Sequence, residues 1–230
     1  MKITTVLLDA GGVILDESEH EEIRARHAVD ILKAHIPDYS LDTYHSDIEE
    51  AVRSFCPRAY QYVFWKYAEN DVSHFNHLFG AYSEKCKQTL PPLRLTRGFE
   101  AEIREISKTW AVGIAGQYGQ EILELLETHA LLDSFTYRLT QDDFPITKPD
   151  PRYYEQILEA FGVAAQECIM VGDRIDKDII PAKQVGMKTI LIRVGLHKNQ
   201  QPRIPLEIPD IELYCISGLA SAVLDLAGRE

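Results

Sequence analysis

The stretch Thr5–Asp16, TVLLDAGGVILD, decides how the rest of the chain is read. Its apolar run Val6-Leu7-Leu8 leads to a single carboxylate, Asp9, and then to Gly11-Gly12, where nothing but backbone can approach a ligand. A short apolar run closed by glycines predicts a buried parallel strand ending in a tight turn. Ligands of open α/β sheets bind at the loops beyond the strand ends, so Asp9 falls where chemistry is usually done. Taken alone, the stretch fits equally a strand whose aspartate merely caps a turn.

Working outward, the character changes after Asp16. From about Glu17 to about Leu90 the sequence is rich in Glu, Arg, His and aromatic residues, and glycine is absent until Gly80. Ile23, Ala28, Ile31, Leu32 and His35 fall at helical spacing, as do Ile48, Val52 and Phe55, and the block predicts a helical insertion. Leu90-Pro91-Pro92 reads as the linker back, because two prolines neither continue a helix nor donate to a ladder. Strand-like runs then alternate with helices: 110–115 and 168–171 and 189–192 as strands, 99–108, 122–126, 153–161 and 179–185 as helices, with a short strand around Tyr137 and Leu139. Residues 197–212 read as a surface loop and 217–227 as a closing helix. Such alternation implies right-handed crossovers, an α/β fold and a mostly parallel sheet.

Three strand-end sites stand out: Asp9, Lys148 in T-K-P-D-P, and the acidic cluster G-D-R-I-D-K-D with Asp173, Asp176 and Asp178. Carboxylates gathered from two strand ends repel unless a cation lies between them. Mg²⁺ suits such a place, since it takes oxygen ligands and keeps several waters. Lys148 would supply a fixed positive charge to hold an anionic group against a nucleophile.

Leu8-Asp9-Ala10-Gly11-Gly12-Val13, Lys148-Pro149-Asp150-Pro151 and Val171–Asp178, followed by Pro181-Ala182-Lys183 and Gly186–Thr189, together resemble the haloacid dehalogenase superfamily. The resemblance is to the branch with a helical cap inserted after the first motif. It implies a Rossmann-like parallel sheet flanked by helices, built from residues 1–15 and 92–230, with a mobile all-helical cap over 16–91. It further implies a Mg²⁺-dependent hydrolase, a phosphatase acting on a small phosphorylated metabolite through an aspartyl phosphate. Asp9 would be the nucleophile. Asp9, the Gly11 carbonyl, Asp173 and Asp178 would hold Mg²⁺, and Lys148 would neutralise both Asp9 and the transferring phosphoryl group. Asp176 has no fixed role in the family and is expected at the surface or paired near Lys177.

Two positions depart from the family pattern. The aspartate that serves as general acid and base two residues after the nucleophile is Gly11 here, which removes a contribution of about 10²- to 10⁴-fold. The phosphate-binding Ser or Thr after the second strand aligns with Gly116, followed by Gln117, so a backbone N–H remains while the hydroxyl is lost. Asp16, Glu17 and His20 are the candidates for replacing the lost proton carrier. The departures also admit a protein that binds Mg²⁺ and a phosphorylated ligand as a sensor, without turnover. A dehalogenase or phosphonate hydrolase is a further alternative; the latter needs a cap lysine, Lys33 or Lys66. His74-x-x-His77 lacks a third zinc ligand and reads as packing or surface. The aromatic set Tyr60, Tyr62, Phe64, Trp65 and Tyr67 reads chiefly as core, and Arg94, Arg97 and Arg174 as surface charge.

Composition sets outer bounds. In 230 residues, 45% hydrophobic and 26% charged content is that of an ordinary globular protein with room for a sizeable core. A net charge of −12 argues against nucleic acid or an anionic membrane as partner. Cys56, Cys86, Cys168 and Cys215 are scattered and form no C-x-x-C pair, so reduced thiols and a cytoplasmic location are expected.

Overall fold

A computed structural model describes residues 2–229. The chain forms two compact units, Met1–Asp16 with Leu93–Glu230, and Glu17–Pro92. Both junctions lie one residue beyond the positions expected from sequence. The reason at the first is a backbone bond: the Asp16 N–H donates to Arg94 O at 2.9 Å, and Thr96 N–H to Ile14 O at 2.8 Å. The departing and returning segments therefore pair with each other, and Asp16 stays with the sheet unit.

β1 is Thr5–Leu8, buried along its whole length. Its side chains alternate between two apolar layers, as a strand's two-residue period requires. Val6 and Leu8 join the layer of Phe99, Ile103, Val223 and Leu226, while Leu7 joins that of Tyr154, Ile157, Met170 and Met187. Burying each such side chain contributes about 1.5–3 kcal/mol, and shifting the strand by one residue would exchange every one of them.

The inserted unit holds α1 (Ser18–Lys33), α2 (Leu41–Arg53), α3 (Ala59–Lys66) and α4 (Val72–Thr89). Ser40 caps α2 by accepting the Thr43 N–H at 3.2 Å, and Asp71 caps α4 by accepting from Ser73 and His74. Ala28, Leu32, Val52, Val63, Phe64 and Leu78 are buried in it. The buried Asp47 is satisfied by Tyr39, Tyr67 and Lys66 at 2.7–2.9 Å.

The chain then continues through α5 (Phe99–Ile106), β2 (Ala111–Ile114), α6 (Glu121–Thr128), α7 (Pro151–Phe161), β3 (Cys168–Gly172), α8 (Ile180–Gln184), β4 (Lys188–Ile192), β5 (Ile211–Leu213) and α9 (Leu219–Ala227). The five strands form one parallel sheet in the order β2-β1-β3-β4-β5. The carboxyl end of β1 is therefore flanked by those of β2 and β3, and all three feed the site.

Three local expectations need correction. β5 replaces loop at the end of the 197–212 stretch; it is a partly exposed edge strand of three residues, too short to carry a recognisable alternation. Tyr137 makes a single bridge, its N–H donating to Val112 O at 3.0 Å, and no strand follows there. The helix expected from Ile179 is preceded by a wide turn, Ile175–Ile179, with the i→i+5 bonding of a π-helix. None of the helices among the described residues is long and apolar enough to cross a membrane.

Candidate active site

Asp9 lies one residue past β1. Its N–H donates to Val171 O at 2.8 Å, while the Ala115 N–H donates to Leu8 O at 2.8 Å, so both neighbouring strands grip the strand end. Behind it the chain turns tightly: the Ile14 and Leu15 N–H groups donate to Ala10 O, and the Gly12 N–H to Leu15 O. Gly12 has φ 70°, and a Cβ there would stand 3.0 Å from Asp173 Oδ2. Glycine is required by both its backbone and its neighbour.

Lys148 precedes Pro149 across a cis peptide bond, and its side chain is 1% exposed. Nζ donates to Asp9 Oδ1 at 2.6 Å and to Asp178 Oδ1 at 2.5 Å. Asp178 Oδ2 accepts the Arg174 N–H at 3.0 Å. Asp178 folds back so closely onto the end of β3 that a Cβ on Gly172 would meet its carboxylate at 2.3 Å. Three segments far apart in sequence thus converge on one ammonium group.

One oxygen from each of Asp9, Asp173 and Asp178 lies within 4.8 Å of the others. Three carboxylates against Lys148 leave two negative charges over. Burial alone would lower the Lys148 ammonium, but Asp178 and Asp9 outweigh it and hold it well above the ordinary lysine range. Burial pushes the Asp178 carboxyl up, to about 6, against the pull of Lys148, with Asp9 adding to the rise. An all-oxygen donor set with surplus negative charge fits a hard divalent cation such as Mg²⁺. Asp9, Asp173 and Asp178 are the residues that would hold it; Gly11, partly buried beside them in sequence, brings only backbone.

On the β2 side, Gly116 is buried and its carbonyl accepts from Tyr153 OH at 3.0 Å. A Cβ here would lie 2.4 Å from Ala10 Cβ and 2.7 Å from Ala10 N. The loop after β2 is packed directly on the residue after Asp9, with no room for a serine or threonine. Gln117 is exposed, and its Oε1 accepts from Lys177 Nζ at 2.8 Å.

Asp176 and Arg174 are where surface placement fails. Asp176 is 8% exposed and holds Arg174 through two bonds, 3.1 and 2.6 Å, while Gln200 Nε2 donates to it at 2.8 Å. Gln200 Oε1 in turn accepts the Ile175 N–H at 2.7 Å. Asp176 is a strut that fixes the turn between Asp173 and Asp178. Its partner Gln200 lies 24 residues downstream and carries no local signal.

The remaining candidates have the following surroundings within their own units. His20 is buried in the helical unit, with Nε2 2.9 Å from Pro91 O. Glu17 lies 3.7 Å from Arg24, and Asp16 is exposed. Lys66 is tied to Asp47 and Glu50 at 2.7 Å each; those bonds raise its ammonium, the opposite of what an imine-forming amine needs. Lys33 is exposed at the end of α1. His74 and His77 have ring centroids 5.7 and 6.5 Å from that of His35, without ligand atoms gathered at metal spacing among the described residues. Phe64 is core, whereas Trp65 is 40% exposed. Arg94 and Arg97 are exposed.

Comparison with known proteins bears on the family and the fold. Residues 12–192 match the family described as haloacid dehalogenase-like hydrolase. A glyceraldehyde 3-phosphate phosphatase of Pyrococcus furiosus is 26% identical over 245 residues, covering 100% of this chain and 95% of that protein. Among solved structures, a haloacid dehalogenase-like family hydrolase of Streptococcus pneumoniae superposes with a TM-score of 0.68 at 15% identity, covering 96% of this chain and 98% of that one. A 2-haloacid dehalogenase of Pseudomonas syringae gives 0.58 at 19% identity, with 97% and 99% covered. The two structures share the fold; the family match spans most of the sequence and includes Lys148, Asp173 and Asp178. The chain belongs to the haloacid dehalogenase-like hydrolase family and is an enzyme of the hydrolase class.

Proposed function

We propose that this protein is a Mg²⁺-dependent phosphatase of small phosphorylated metabolites, with Asp9 as nucleophile. The observation that carries the reading is the convergence of Asp9, Asp173 and Asp178 around buried Lys148. The Asp9 carboxylate attacks phosphorus, the bond to the leaving oxygen breaks, and an aspartyl phosphate forms. Water then attacks the same phosphorus and returns Asp9, so one difficult displacement becomes two easier ones. Lys148 holds Asp9 in place and neutralises charge on the transferred group. Asp9, Asp173 and Asp178, with the Gly11 carbonyl, would hold Mg²⁺, which when bound would supply further charge neutralisation. The backbone N–H groups of Gly116 and Gln117, in the loop packed on Ala10, would donate to the phosphoryl oxygens.

Gly11 sets the kind of substrate. With no carboxyl to protonate the leaving oxygen, an ester whose leaving group is already stable as an anion is hydrolysed fastest. Triose phosphates, named as substrate for the Pyrococcus relative, are the first metabolites to try and, as alkyl esters, should turn over more slowly than an aryl phosphate. The four cysteines are all free thiols, which supports a reducing cytoplasmic setting.

A second reading is favoured by the two glycines, Gly11 and Gly116, which remove catalytic side chains while leaving Asp9, Lys148 and Asp173: a phosphate-ligand sensor without turnover. Phosphate release from 4-nitrophenyl phosphate and glyceraldehyde 3-phosphate, with Mg²⁺ and with chelator, decides between them. The phosphatase reading expects Mg²⁺-dependent release by wild type that Asp9→Asn abolishes. Equal release by both proteins across a broad metabolite panel would overturn it.

A further inference from the structure

Three cations stand on or beside the turn that follows β3, and two of them are neutralised. Lys148 is bonded to Asp9 and Asp178, and Arg174 to Asp176. Lys177 differs. Its ammonium donates to Gln117 Oε1, a neutral acceptor, and among the described residues it has no carboxylate within salt-bridge distance. A half-buried cation with only an amide oxygen for a partner is under-compensated, and an arriving anion would complete it.

The place of this bond is as informative as its chemistry. Lys177 belongs to the turn after β3 and Gln117 to the loop after β2, while the sheet order puts β1 between those two strands. The Lys177–Gln117 bond therefore ties together the two loops that flank the strand end carrying Asp9. The lysine's backbone is anchored independently, its carbonyl accepting from Tyr154 OH at 3.1 Å. Next to Gln117, Gly116 is packed so tightly on Ala10 that no side chain can reach out from it.

We propose that Lys177, presented by Gln117, is the second cation of the phosphate site and supplies the side-chain donor that Gly116 cannot. On substrate arrival its ammonium moves from the Gln117 amide to a phosphoryl oxygen. The proposal takes its ligand class from the phosphatase reading, yet it concerns binding and does not require turnover.

The test is calorimetric binding of inorganic phosphate, at saturating Mg²⁺, to wild type, Lys177→Met, Lys177→Gln and Lys177→Arg, with thermal unfolding to establish that each is folded. Loss of one charge-assisted hydrogen bond predicts phosphate affinity about 10- to 100-fold weaker in the Met and Gln variants. The Arg variant, which keeps charge and donors, retains most of the wild-type affinity. Met or Gln variants that bind phosphate like wild type would overturn the proposal, as would a wild type that binds none. Hydrolysis of 4-nitrophenyl phosphate by the same preparations reports separately on the phosphatase reading. Lysine-dependent binding without hydrolysis would sink that reading and leave this one standing.

Discussion

Lys148 Nζ and Asp178 Oδ1 are 2.5 Å apart, and each side chain is 1% exposed. The pair is buried with Asp9 at its edge, so the two partners are not equivalent. Removing the lysine leaves carboxylates facing one another without their cation, and Lys148→Met should destabilise the protein by about 3–5 kcal/mol. Asp178→Asn removes one of the surplus charges and should cost markedly less. Urea unfolding without divalent metal measures both; equal losses would contradict the charge count.

Surplus negative charge also predicts stabilisation by metal. Mg²⁺ at 100 times its dissociation constant should raise unfolding free energy by about 2.7 kcal/mol. Asp173→Asn should remove most of that gain. A thermal-shift series in Mg²⁺ checks this, and an Asp173→Asn protein that responds like wild type would exclude Asp173 from the ligand set.

Gly11 and Gly116 predict opposite outcomes on substitution. Gly11 does not have the left-handed backbone of Gly12, so Gly11→Asp is compatible with its conformation and restores the missing proton carrier. Turnover of an alkyl phosphate should rise by about a hundredfold. Gly116→Ser would instead drive its Cβ into the Ala10 side chain and amide. A loss of about 1–3 kcal/mol of stability and of activity is expected, since overpacking there displaces the residue next to Asp9. A serine variant as stable as wild type would refute the close packing of these loops.

The pH dependence of stability is read from His197. Burial, followed by the nearby Arg174, pushes its imidazole down to about 3. The folded value lies below the unfolded one of about 6.5, so the contribution is complete above about pH 6.5 and is lost as pH falls toward 3. At pH 5 the loss is about 2 kcal/mol. His197→Gln should flatten the fall in unfolding free energy between pH 7 and 5 relative to wild type. Identical slopes would show that this imidazole protonates freely when folded.

How much was legible beforehand depends on the distance over which each feature is encoded. Val6-Leu7-Leu8 followed by Asp9 and two glycines is local, and the strand and its turn could be read directly from it. Of Lys148, Asp173 and Asp178, only Asp173 directly follows a strand, while Lys148 stands in a loop before α7 and Asp178 in the turn after β3; their short motifs, through residue types and spacing, still carried the expectation of a shared cation. Asp176 could not be read in the same way. Its burial depends on Arg174 folding back over it and on Gln200 from a distant turn. Lys177 and Gln117 are 60 residues apart and meet because β2 and β3 flank β1, a relation that topology sets. β5 was hidden for another reason: three half-exposed residues amid prolines show no period to detect.

The central claim is that Asp9 itself receives the phosphoryl group. Rapid acid quench of enzyme with Mg²⁺ and a radiolabelled aryl phosphate, followed by peptide mapping, tests it directly. Label on the peptide containing Asp9 in wild type, and none in Asp9→Asn, is the predicted result. Hydrolysis proceeding at the wild-type rate in Asp9→Asn, with no label on that peptide in either protein, would contradict it.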